Sequence, residues 1–117
     1  MKKIDLRSYE VDARDGMGRQ IIDEKGDVIK QPYDVKNTLI EIIFSNQLKL
    51  NGRQNHERNR LADKIEKGDG EVLLEDADYA IIKSSVDLIQ GFGKNERELL
   101  KRIYGAEEVE VKEKGKK

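Results

Sequence analysis

Apolar and polar positions change period twice along this chain, and the changes divide it into a β part, a helical part and a return. At the amino end Ile4 and Leu6 alternate with Asp5 and Arg7, the two-residue period of a strand. Tyr9 and Val11 alternate on the opposite parity, which predicts a bulge or bend at Ser8 rather than one flat strand. Asp15-Gly16-Met17-Gly18-Arg19 reads as a turn, because glycine lowers the cost of positive φ. Ile21-Ile22 and Val28-Ile29 flank Asp23-Glu24-Lys25-Gly26-Asp27, the pattern of a hairpin. Pro32 has no amide to donate and is expected to close the second run.

From Asp34 the period becomes helical. Asp34 caps by accepting from the free amides of the first turn. Val35, Leu39, Ile42 and Ile43 follow at helical spacing, and Ile40 and Phe44 widen the stripe. A helix this broadly apolar either fills its own core or is shared with a second subunit. In the second case Leu39, Ile43 and Phe44 are the expected oligomer interface. Leu48 and Leu50 lead to a break at Asn51-Gly52. A strongly polar helix then spans 53–67, with a stripe of only Leu61, Ala62 and Ile65, and ends at Gly68-Asp69-Gly70.

Val72-Leu73-Leu74 is either a strand or a hydrophobic staple. Glu75, Asp76 and Asp78 then place negative charge where a helix dipole favours it, ahead of the stripe Tyr79, Ile82, Val86 and Ile89. Asn95 and Glu98 stand three apart at the start of a last helix carrying Leu99, Leu100, Ile103 and Tyr104, with Gly105 behind. Val109 and Val111 alternate with Glu108, Glu110 and Lys112, which predicts a return strand able to pair with the amino-terminal one. The expected architecture is one α+β domain over 1–112: a small amino-terminal β-hairpin or sheet unit, three to four helices and a carboxy-terminal return strand. A disordered charged tail follows at 113–117. No internal repeat and no linker is apparent.

Composition narrows the functions. At 117 residues the chain is long enough to bury a core without staples. It has no cysteine, so disulfides and thiolate zinc sites are excluded. Charged residues make up 40%, but 23 basic and 24 acidic side chains nearly cancel, and the net charge of −1 favours no nucleic-acid partner. The weight of Lys and Glu resembles that of heat-tolerant proteins. No apolar run approaches the ~20 residues of a membrane span, so a cytoplasmic protein is expected.

Catalytic chemistry is not visible. The single histidine, His56, lacks the partner four residues on that a zinc-binding helix requires; that position is Arg60. The carboxylates near Asp12 and Asp15, Asp69 and Glu71, and Glu75 to Asp78 do not match a calcium loop, and turn and capping roles account for them. Gly16-Met17-Gly18 lacks the rest of a dinucleotide fingerprint, and Ser84 and Ser85 lie mid-helix without a nucleophile elbow. No enzyme, cofactor or metal is expected. The expected contact surface is the polar helix: Arg53, Gln54, Asn55, Arg58 and Arg60 are residue types that meet a partner protein or the phosphates and base edges of a nucleic acid. A third reading is a small nucleotide ligand at a subunit interface, held by residues such as Arg97 or Tyr104.

Tyr33-Asp34-Val35-Lys36-Asn37-Thr38-Leu39-Ile40, and Val72-Leu73-Leu74-Glu75-Asp76-Ala77-Asp78-Tyr79 followed by Gly91-Phe92-Gly93, resemble small accessory proteins encoded by tailed bacteriophages and prophages. The resemblance implies a non-enzymatic protein acting through protein–protein interaction or assembly. It would be a homo-oligomer or the partner of a phage or host protein, in the host cytoplasm. No site residue is carried over from it.

Overall fold

Period-two alternation in the first residues builds strand β1, Lys2–Asp5, and the parity change after it separates β1 from β2, Tyr9–Asp12, into a different sheet. The computed structural model describes residues 1–109. Strand β3, Lys30–Tyr33, follows, then helix α1, Val35–Ile43, helix α2, Gly52–Lys67, strand β4, Glu71–Leu74, helix α3, Asp76–Leu88, helix α4, Arg97–Tyr104, and strand β5, Glu107–Glu108. The fold is α+β. The predicted tail and the Glu110, Val111 and Lys112 end of the return strand lie outside the described residues.

Strand β1 is the centre of a three-stranded antiparallel sheet ordered β4-β1-β5. Val72-Leu73-Leu74 is thus a strand, with Val72 opposite Ile4, and the return strand places Glu107 and Glu108 opposite Lys3 and Lys2. The inner face buries Ile4, Val72 and Leu74 against Val35, Leu39 and Ile43 of α1, Leu61 and Ile65 of α2, Ile82 and Val86 of α3, and Leu99 and Ile103 of α4. Full burial of each such side chain is worth about 1.5–3 kcal/mol. The nine-residue α1 has β-branched members and is short, so this burial, not intrinsic propensity, stabilises it.

Helix starts follow local chemistry. The Asp34 carboxylate accepts from the Asn37 amide at 3.0 Å. At α2, Asn51 and Gln54 form a reciprocal capping box: the Asn51 side chain accepts from the Gln54 amide at 2.8 Å, and the Gln54 side chain from the Asn51 amide at 3.1 Å. The expected Asn95–Glu98 start differs. Glu96 instead accepts from the Gly93 amide at 2.7 Å, and Glu98 accepts from Arg102 within α4. A competing partner for each carboxylate decided the outcome.

Residues 13–29 form an arm of two tight turns. Asp15 Oδ1 accepts from the amides of Met17 and Arg19, and Asp23 Oδ1 accepts from those of Lys25 and Asp27. Each turn is completed by a glycine at positive φ, Gly18 at 82° and Gly26 at 87°. Residues 14–21 and 22–29 are therefore one eight-residue turn unit used twice, a repeat hidden because its shared positions are only Asp, Gly and Ile. The two units meet β2 and β3 in a closed ring of backbone bonds. The Ala13 amide donates to the Ile29 carbonyl at 2.8 Å, Ile29 to Ile21 at 2.8 Å, and Ile21 to Ala13 at 3.0 Å. Pro32 does not end the run; it sits inside β3 opposite Glu10.

Arg102 and a tyrosine pair join the arm's base to the body. Tyr9 stacks on Tyr33 with ring centroids 4.9 Å apart, and the Arg102 guanidinium lies 5.1 Å from the Tyr9 ring. The Tyr9 hydroxyl donates to the Asn95 carbonyl at 2.6 Å and accepts from the Leu99 amide at 3.3 Å. Burial pushes the Tyr33 hydroxyl well above its ordinary value, with Glu96 adding to the effect.

The bend between β1 and β2 carries a pH-dependent contact. Arg7 donates to Asp5 through Nε at 3.0 Å, Nη2 at 2.8 Å and its amide at 2.9 Å. The Arg7 bonds outweigh the opposing effect of burial and hold the Asp5 carboxyl at about 2, below the ordinary 3.8. A depressed folded value means that this contribution is present above the unfolded pKa of 3.8 and is lost as the pH falls toward about 2. Thermal unfolding followed across that window should fall more steeply for the native chain than for Asp5→Asn. Equal slopes would show that Asp5 contributes nothing to acid sensitivity.

Candidate binding groove

Residues of the polar helix serve the fold as well as the surface. Arg58 turns inward: its Nη1 donates to the Ile43 carbonyl at 2.9 Å and to Ser85 Oγ at 2.8 Å. It thereby satisfies the carboxy-terminal end of α1, where a cation is favoured by the helix dipole, and burial pushes its guanidinium below its ordinary value. Arg60 Nη2 lies 3.5 Å from the buried Asp78, whose other oxygen accepts from Lys64 at 2.9 Å. Asp78 lies in the first turn of α3, as expected of a residue complementing the helix dipole, and also anchors a polar seam between α2 and α3. Arg53 pairs with Glu57 at 3.5 Å, the Gln54 side chain is spent in the capping box, and Asn55 and His56 are exposed. The exposed remainder, Arg53, Asn55 and Arg60, does not form an uncompensated basic stripe.

Leu39 and Ile43 have no exposed area; they face the chain's own core, and Phe44 is half-buried against it. The width of the α1 stripe is accounted for by two helices packed on it at once, α2 and α3, within the common core. Nothing of Leu39 or Ile43 reaches the surface of the folded chain.

A groove of about 730 Å³ lies instead between β2 and α4. One wall is Tyr9, Glu10, Val11 and Asp12, with Lys30 from β3; the other is Lys94, Asn95, Arg97, Glu98, Leu100, Lys101 and Tyr104. Four consecutive residues of β2 line it, so the strand presents its edge rather than one face. Asp12 is neutralised by Lys30, and Glu98 by Arg102 at 2.9 Å. Among the described residues Lys94, Arg97 and Lys101 have no carboxylate at ion-pair distance, and Glu10 has no cation. Counted over the described residues, the groove carries three uncompensated positive charges against one negative. The Tyr104 hydroxyl donates to the Asp87 carboxylate, which with burial raises its pKa to about 12.

Arg97 and Tyr104, singled out in the sequence as possible ligand contacts, lie together on this wall. Lys94 and Lys101 were passed over, although their spacing with Arg97 and Tyr104 puts all four at helical intervals. No family model, curated protein or solved structure matches the chain. The described residues contain no group of side chains suited to hold a metal ion, and no helix among them is long and apolar enough to cross a membrane.

Proposed function

We propose that this protein is a non-enzymatic interaction module that acts in assembly, presenting the arm at residues 13–29 to a partner protein. The observation that supports this reading is the exposure of Met17, Ile21, Ile22 and Ile29 on that arm, Met17 at 79% and Ile22 at 57%. No buried core stands behind the turns beyond Ala13. A two-stranded unit without a packed face is marginal in water, and a contact that covers these side chains stabilises the arm and removes the apolar area from solvent together. Scattered apolar residues on a surface need no explanation, but several on one projecting segment mark a contact. A role beside phage structural proteins or a host factor agrees with the resemblance noted above.

Photo-crosslinking in cells of the source organism tests this. A photoreactive residue at Met17 or at Ile22 should give a discrete adduct, and the same residue at the exposed Asn59 of α2 should not. An arm that yields no adduct, or the same adducts as Asn59, would overturn the proposal.

A further inference from the structure

We infer that the groove between β2 and α4 receives an extended, acidic segment of a partner protein, which adds to β2 as a third strand. The inference rests on the interaction-module reading and names a contact separate from the arm tip.

Backbone register supports it first. The Ala13 amide donates to the Ile29 carbonyl just before β3, so Val11 and Tyr9, which share its parity, direct their backbone groups toward β3. Glu10 and Asp12 direct theirs to the opposite side. Pro32 opposite Glu10 fits this register, because a residue at that position needs no amide on the β2 side. Among the described residues the outward edge has no strand beside it, since β2 pairs there with β3 alone. An edge of this kind is a template for a further strand.

Charge and spacing select the segment. Lys94, Arg97 and Lys101 face the edge across the groove. Alternate residues of an added strand are about 6.8 Å apart. Arg97 and Lys101 are separated by about 6 Å of helix rise. Acidic side chains on alternate positions thus meet successive cations. Between them, Val11 and Leu100 give the intervening side chains an apolar floor. A peptide fits better than a nucleotide because the edge offers paired amides and carbonyls, and the Tyr104 hydroxyl is already engaged by Asp87.

Amide exchange in the full chain, read by NMR, tests the inference with a short blocked peptide of alternating Glu and Val. Exchange at Glu10 and Asp12 should slow on titration. The combined substitution Lys94→Glu, Arg97→Glu and Lys101→Glu should weaken binding about tenfold or more, with core amide shifts unchanged. N-methylation of the peptide backbone should abolish the slowing. Unchanged exchange at Glu10 and Asp12, equal binding of a Lys–Val peptide, or equal protection by adenosine triphosphate would overturn it. Failure here with arm adducts intact removes the groove contact and leaves the module reading standing. Loss of the adducts with the titration intact does the reverse.

Discussion

Leu39→Ala should destabilise the chain by about 3 kcal/mol and leave its mass in solution unchanged. Leu39 is fully buried within the core formed by α1, the β4-β1-β5 sheet and the neighbouring helices. Truncation removes the transfer free energy of the lost methyl groups and leaves a cavity that packed neighbours refill only in part. In a domain whose total stability is about 5–15 kcal/mol, such a loss is large. It should lower the unfolding midpoint by about 15 °C. Calorimetry and light scattering on the same sample distinguish a core role from a subunit contact. A dissociating oligomer with little change in midpoint would place Leu39 between chains.

Arg102→Ala should cost about 2–3 kcal/mol and should loosen the base of the arm before it affects the helices. The Arg102 Nη1 donates to the Asp5 carbonyl at 3.2 Å and the Arg7 carbonyl at 2.6 Å, and Nε donates to Glu98 at 2.9 Å. The same guanidinium plane covers Tyr9. Its removal leaves two carbonyls at the β1–β2 bend and the Glu98 carboxylate without this partner. Arg102→Lys should not restore them, because an ammonium lacks the planar fork that reaches several acceptors while lying on a ring. Amide exchange should rise first at Tyr9 to Asp12. Uniform acceleration across α1 and α3, or full recovery with lysine, would show that Arg102 is not the clamp.

Much of the architecture was legible because local chemistry and burial agree. The period change at Ser8 and the cap at Asp34 follow from residues within a few positions of each other, and the alternation near each end marked strands able to pair. Pro32 misled because an outward strand position tolerates proline as well as a strand end does. The doubled turn unit is faint in the sequence because only Asp, Gly and Ile recur, while the hydrogen bonding through Asp15 and Asp23 repeats in full. Arg58 read as a surface cation because its acceptors, Ile43 and Ser85, are brought to it by two other helices. The groove required β2 and α4, which are far apart in the chain and come together only in the fold. From the sequence, Lys94, Arg97 and Lys101 look like any solvated helix face.

That ring also bears on how the chain acquires its structure. Its three bonds close within a short stretch, so the arm incurs little loop-closure entropy and can form early. Strand β1 is in the opposite position: Lys2 finds Leu74, and Lys3 finds Glu107, only after the helices between them have been made. During synthesis both edges of β1 stay open for most of the chain's emergence, and its last neighbour arrives with β5. Of the described strands β1 is made first and enclosed last, and the interval before Glu107 appears is when it is most exposed to mispairing.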